Sequence, residues 1–145
     1  MGNENISNFQ RKIPIPVPKV RTAIRSACRK LRFKIPELSV AFVGERRMRR
    51  LNKEYLGHDY VTDVLTFNYG DTIPNSCELS IMSPEIVICP AVAARNARRY
   101  GNTCEREIVL CVVHGILHLC GYDDHSPKDV QRMRRKETEI LGKVL

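Results

Sequence analysis

The sequence predicts a single α+β domain, a small mixed β-sheet with helices packed on it, and three observations carry that expectation. Short β-rich runs alternate with helical patterns, no linker or internal repeat divides the 145 residues, and one aliphatic run is apolar on every side, as expected of a helix through a core. A chain of this length can bury a real core without staples.

The elements follow in order. Within the first seventeen residues, Ile13-Pro14-Ile15-Pro16 is too proline-rich for an interior strand and predicts an edge strand or extended arm. Pro18 opens a helix with Val20, Ile24, Ala27 and Leu31 on one side and basic residues on the other. Leu38 to Val43 alternates apolar and small residues as a strand does, and Glu45 to Leu56 is an amphipathic helix turned inward at Met48, Leu51 and Tyr55. Val61 to Phe67, bounded by Gly57 and Gly70, predicts a strand; 70 to 84 a loop or hairpin; Glu85 to Cys89 a third core strand. Pro90 begins a short helix to Tyr100. The buried helix comes next, with Asn102 and Glu105 set as a capping box, Ile108 to Val113 as its apolar run and Gly121 as a left-handed stop. Ser126-Pro127 with Asp129 marks the cap and first turn of a last helix carrying Val130, Met133, Ile140 and Val144.

Charge and cysteines narrow the function classes. Lys plus Arg at 24 against Asp plus Glu at 16 gives +8, clustered in Arg21 to Lys34, Arg46 to Arg50 and Arg132 to Lys136. A polyanionic partner such as nucleic acid fits this excess, although each cluster alone is equally a solvated helix face. The six cysteines, Cys28, Cys77, Cys89, Cys104, Cys111 and Cys120, form no CxxC pair and follow no secretory signal, which points to a reduced, cytoplasmic setting. No apolar run reaches membrane-span length, and Met1-Gly2 lacks the Ser or Thr at position six that myristoylation requires, so no membrane partner is expected.

Three of the four histidines lie between 114 and 125, at the end of the aliphatic run. At 3.6 residues per turn, His114 and His118 stand roughly 40° apart on the helix and one turn apart along it, so both imidazoles can reach one ion. His125 falls in a short connection after Gly121 that can fold back toward them. A lone histidine on an apolar helix is ordinarily a core residue with a hydrogen-bond partner; two at i, i+4 with a third past a glycine read better as metal ligands. Three histidines leave a fourth position open, the arrangement of a catalytic zinc site, and predict one Zn2+ per chain. Cys120, close by, is a minor ligand candidate.

The run His114-Gly115-Ile116-Leu117-His118-Leu119-Cys120-Gly121-Tyr122-Asp123-Asp124-His125 resembles the His-Gly-x-Leu-His-Leu-x-Gly-Tyr-Asp-His signature of the YbeY family, bacterial metal-dependent endoribonucleases of ribosomal RNA maturation. Leu51-Asn52 to Tyr55, Thr62 to Phe67 and Glu85 to Cys89 are similar to three further family blocks, in the same order, so the likeness spans roughly 38 to 142. Three departures stand out. The place of the family's third histidine holds Asp124, with the histidine one later; His125 is the expected ligand and Asp124 the alternative. Leu56-Gly57-His58-Asp59 stands where the family has an arginine and then Lys-Asp, so Arg46, Arg49 or Arg50 would have to serve RNA binding. Pro84 replaces the glycine that opens the last strand.

The resemblance implies a single-strand-specific metallo-endoribonuclease acting in maturation of the 16S rRNA 3′ end and in ribosome quality control, with ribosomal RNA and the small ribosomal subunit as partners. His114 and His118 would be catalytic as ligands. Asp63 and Asp123 would hold a ligand or accept a proton beside the ion; equally, Asp63 caps a turn and Asp123 belongs to the loop. Thr62 is expected to be structural. Two rival classes share the metal site. Metalloproteases of the His-x-x-x-His-x-x-Gly layout need Glu directly after the first histidine, where this chain has Gly115. A noncatalytic, metal-stabilised RNA or ribosome-binding factor would share both ligands and basic faces.

Overall fold

The computed structural model describes residues 4–35, 37–68, 71 and 83–144. Four strands, β1 (Asn5–Asn8), β2 (Ser39–Phe42), β3 (Val64–Phe67) and β4 (Glu85–Ile88), and five helices, α1 (Val17–Leu31), α2 (Glu45–Leu56), α3 (Pro90–Tyr100), α4 (Cys104–Leu119) and α5 (Pro127–Val144), form one α+β unit. The sheet order is β1-β2-β4-β3, with β3 antiparallel to β4 and the other pairings parallel, so the sheet is mixed as the sequence predicts. Apart from 71, 83 and 84, the loop or hairpin expected over 70–84 lies outside the described residues.

Alternation along the strands divides the helices between two faces. Val40 and Phe42 of β2 and Ile86 and Ile88 of β4 join Ile108, Val112 and Ile116 of α4 and residues of α1 and α5 in the main core. Their neighbours Val87 and Cys89 turn the other way, toward Met48 of α2, Leu65 and Phe67. On that second face the Tyr55 ring meets Phe67 edge-on, 5.0 Å between centroids. No helix among the described residues is long and apolar enough to cross a membrane.

Two local expectations are corrected. The edge strand is Asn5–Asn8, where polar residues hide the pattern, while 13–16 forms no strand. Backbone bonds from Asn5 N–H to Leu38 C=O and from Phe9 N–H to Phe42 C=O, both 2.8 Å, seat it beside β2; prolines at 14 and 16 have no N–H to donate. The cap of α4 is Thr103, whose Oγ1 accepts the Arg106 N–H at 3.1 Å. Asn102 sits one residue too early and donates instead to Glu107 Oε1 at 2.9 Å. Gly121 (φ 96°) does lie in the left-handed region, just past the end of α4, and Ser126 Oγ does accept the Asp129 N–H at 3.1 Å to open α5.

The position of α4 is fixed by Gly115. A Cβ there would stand 2.9 Å from Ile86 Cγ2 and 3.0 Å from its Cδ1, so the helix backbone lies directly on β4. Gly115→Ala is expected to destabilise the fold by about 1 kcal/mol net, overpacking of ~1–3 kcal/mol outweighing the ~1 kcal/mol of helix propensity that alanine adds. Urea unfolding of Gly115→Ala, Ile86→Ala and the double variant checks this. The double variant should be more stable than the two single losses sum to; additive losses would mean that no clash exists.

Candidate metal centre

Because α4 is buried against the sheet, α1, α3 and α5, little of it faces open space, and His114 and His118 occupy that half-buried strip. Their rings lie 4.6 Å apart at 79°, with the two Nε2 atoms 3.1 Å from each other. Past Leu119 the Cys120 N–H returns to Ile116 C=O, the Gly121 N–H to His118 C=O, and the Tyr122 N–H to Leu117 C=O at 3.0 Å. This reversal, at left-handed Gly121, carries the chain back along the helix. Asp124 thereby joins the two histidines, with one ligand atom from each residue all within 4.8 Å of one another.

His125, expected as the third ligand, is exposed and outside this group. Its N–H donates to Asp123 Oδ1 at 3.3 Å. The physical reason lies in the anchor: Tyr122 is tied to Leu117, so the spacing from His118 to position 124 is set and the added residue is taken up beyond it. Cys120 is also outside the group, and burial pushes its thiol up to about 11, far from a ready thiolate.

The donor set fits an ion. Two nitrogens bound tetrahedrally at ~2.0–2.1 Å stand roughly 3.4 Å apart, close to the observed Nε2 separation, and a carboxylate completes a three-ligand set with room for a fourth. Glu137 of α5 orients the site: its Oε1 accepts the His114 Nδ1–H at 2.7 Å, which leaves Nε2 with its lone pair toward Asp124 and His118. Burial pushes the His114 pKa down, but the hydrogen bond and charge of Glu137, with Asp63 and Asp124, more than offset it and hold it above the usual imidazole value. His118 is held below that value by burial and by the charge on His114. The pair therefore binds its first proton on His114 and resists a second.

A cleft of about 340 Å³ opens over these groups, and Asp63, Cys111, Arg134 and Glu137 share its wall with His114 and Asp124. Asp63 thus meets the site. Its Oδ2 lies 4.0 Å from the Cys111 sulfur, whose thiol is kept protonated mainly by burial and so serves as a weak donor. Thr62 Oγ1 is a distant 3.5 Å from Asp63 Oδ1. Asp123 lies elsewhere, in a separate depression with Tyr122, Asp129 and Arg132. Arg46, Arg49 and Arg50 project from α2, the helix on the other face of the sheet from α4, and Arg49 is taken up by Asp59 at 2.8 Å.

Sequence reasoning missed Glu137, Arg134 and Cys111. One signal was available for the first. Val130, Met133, Glu137, Ile140 and Val144 follow the 3–4 spacing of one helix face, so Glu137 is a charge set within an apolar stripe. Such a residue is half-buried only with a partner, and His114 is that partner.

Comparison with known proteins identifies the family of the chain. The family model described as endoribonuclease YbeY matches residues 5–145. The chain is 34% identical over 145 residues to the endoribonuclease YbeY of Pelotomaculum thermopropionicum, covering 96% of this chain and 95% of that protein. It is 33% identical to that of Elusimicrobium minutum, over 94% of this chain and 96% of the relative. The solution structure of TM1509 from Thermotoga maritima matches with a TM-score of 0.65 and 28% identity, covering 97% of this chain and 88% of that one. With the family model matched over residues 5–145 and relatives matched over nearly their full length, the chain belongs to the endoribonuclease YbeY family.

Proposed function

We propose that this chain is a metal-dependent endoribonuclease that cleaves single-stranded RNA, with one ion held by His114, His118 and Asp124. The observation that carries the proposal is the meeting in one place of two Nε2 atoms 3.1 Å apart, the Asp124 carboxylate and, on the same cleft wall, Arg134. Zinc is the ion we assign, because neutral imidazoles and a carboxylate suit it and hydrolysis needs no redox change; iron is the competitor for such a set. The finer role is maturation of the 16S rRNA 3′ end, on the small ribosomal subunit in the cytoplasm, together with ribosome quality control. The net charge of +8 supports a polyanionic substrate.

When bound, the ion would supply Lewis-acid chemistry, acidifying a water and polarising the scissile phosphate. The chain's own residues do the rest. Glu137 keeps the His114 proton on Nδ1 and the ring in place. Asp63, steadied by the Cys111 thiol, is the carboxylate on the cleft wall that can accept a proton from the attacking water. Arg134 holds a phosphate by charge-assisted hydrogen bonds. Proteolysis is disfavoured by packing as well as by motif, since a side chain on the residue after His114 would crowd Ile86, 2.9 Å from a Cβ at that position.

Metal analysis of the purified protein should give one equivalent of zinc, lost in His114→Ala and His118→Ala. Asp124→Ala should weaken binding while His125→Ala leaves it unchanged. Release of the ion by the His125 change alone would reverse the ligand set.

Glu137→Gln should weaken metal binding by about 10-fold or more well above the His114 pKa, because the ligand loses its orienting partner. As pH falls the gap should narrow, since the native protein must give up a proton that Glu137 helps His114 retain. In the metal-free protein that raised pKa adds stability at acidic pH, fully present below the unfolded value and lost as pH rises through the folded one. A gap that is the same at every pH would separate Glu137 from His114 protonation.

Single-stranded RNA should be cut by the metal-replete protein and not by His118→Ala purified identically. Binding should weaken as salt rises, and Arg134→Ala should lower the log–log salt slope by roughly 0.7, the value of one phosphate contact on a single strand. Binding without cutting, on free and ribosomal RNA alike, would indicate a noncatalytic factor; cutting that survives in the control would indicate a contaminant.

A further inference from the structure

Between α2 and β3 the chain displays two rings outward. Gly57 (φ 73°) turns it off the helix, and His58 and Tyr60 then lie nearly parallel, 11° between planes and 5.3 Å between centroids. The Tyr60 hydroxyl meets His58 Nδ1 at 3.1 Å. Tyr60 is 55% exposed, among the largest apolar exposures in the described chain, and His58 is exposed as well.

The loop is pinned from beneath by a buried polar residue. Asn52, 1% exposed, donates from Nδ2 to Tyr60 C=O at 3.0 Å, and its own C=O accepts the His58 N–H at 3.2 Å. Asp59 is tied to Arg49 at 2.8 Å and to Lys53 at 4.0 Å. Both rings are thus held from the backbone side, with a face free to solvent. A buried amide spent on an exposed loop needs a reason beyond loop closure.

Position and charge supply that reason. Tyr60 is three residues before Asp63, which lines the metal cleft, so the two Cα atoms are at most ~11 Å apart. No lysine or arginine occurs between Lys53 and Arg95. A polyanion reaching the cleft across this side meets no cation from the segment that bears Asp63; what it meets is an aromatic surface. Bases stack on such surfaces whatever their identity, and stacking needs no counterion release.

We propose that the His58–Tyr60 pair is a stacking site for one base of single-stranded RNA beside the metal cleft. This rests on the nuclease reading for its choice of ligand. Tyr60 supplies the open ring face, and His58 backs it and fixes its plane through the hydroxyl contact. Neither residue takes part in the chemistry, so both act on substrate affinity.

The test compares full-length native protein with Tyr60→Ala, Tyr60→Leu and Tyr60→Phe, each checked for unchanged metal content and melting temperature. Affinity is measured across a salt series for a short single-stranded RNA and for an abasic ribose-phosphate chain of equal length. Tyr60→Ala and Tyr60→Leu should weaken RNA binding roughly tenfold, with Tyr60→Phe close to native. Their salt slope should match that of the native protein, unlike that of Arg134→Ala. On the abasic chain all four proteins should bind alike, and in cleavage assays the loss should appear in KM with kcat retained. Native affinity in Tyr60→Ala, a changed salt slope, or an equal loss on the abasic chain would overturn the stacking site. RNA left intact by the native protein would overturn the nuclease reading instead, and the affinity series would still decide the platform.

Discussion

Contact between the backbone of α4 and Ile86 governs where everything else can lie. With hydrogen alone at position 115, the helix settles directly on β4, and the residues on that side are committed to the core. The strip left open carries positions 114 and 118, and it faces the cleft shared with β3 and α5. Chemistry at this site is therefore confined to what that narrow strip and its two neighbours provide. The same closeness crowds the place where a protease of similar layout would carry its general base.

The electrostatics of the cleft follow from the burial. Two imidazoles with Nε2 atoms 3.1 Å apart cannot both be charged without strong repulsion, and burial on α4 removes the water that would screen it. Glu137 breaks the symmetry by claiming Nδ1 of His114. One histidine becomes the proton holder and the other remains neutral, and His114, His118 and Asp124 would hold a divalent ion whose charge takes the place of that proton's. Asp124 and Asp63 add negative potential from the other sides, which favours a cation over an empty site. Cys111 contributes by staying protonated, since a thiolate among these carboxylates would be opposed by burial and by charge alike.

Much of this was legible in the sequence, for physical reasons that differ by residue. The span of α2 and the inward face of α1 announce themselves by apolar period, the start of α3 by Pro90, and the end of α4 and the start of α5 by Gly121 and Ser126-Pro127. His114 and His118 were visible because helical geometry alone brings i and i+4 together. Which of Asp124 and His125 stands beside them stays open between the two in the sequence, since it depends on how a loop absorbs one added residue, and the bond that carries Asp124 to the pair, Tyr122 N–H to Leu117 C=O, belongs to the backbone. Asp63 could be named, but its approach to α4 required the sheet order. Asp123 could not be told from Asp124 by type or position; the fold sends one to the cleft and the other to a different depression. β1 was hidden because an edge strand paired only through its backbone needs no apolar pattern. Arg46, Arg49 and Arg50 were plausible as charges, yet topology puts their helix behind the sheet.

That last displacement changes how the surface should be understood. Net charge reports only a sum, and in this chain the basic residues are absent from a long middle stretch that includes β3 and β4, the strands packed on α4. Attraction of a polyanion at a distance is served by the helices, whose cations can sit anywhere on the surface and still shape the long-range field. Placing a bound polyanion over the candidate metal site would be a short-range task, and only groups on the cleft wall or its margin could perform it. On the α5 side the cleft wall carries Arg134; the segment that bears Asp63 contributes no lysine or arginine to that wall among the described residues, and the exposed rings of the α2–β3 loop are the features suited to placement there. Long-range attraction and local placement are thus divided between different residue types, and the division follows from which elements the sheet order brings to the end of α4.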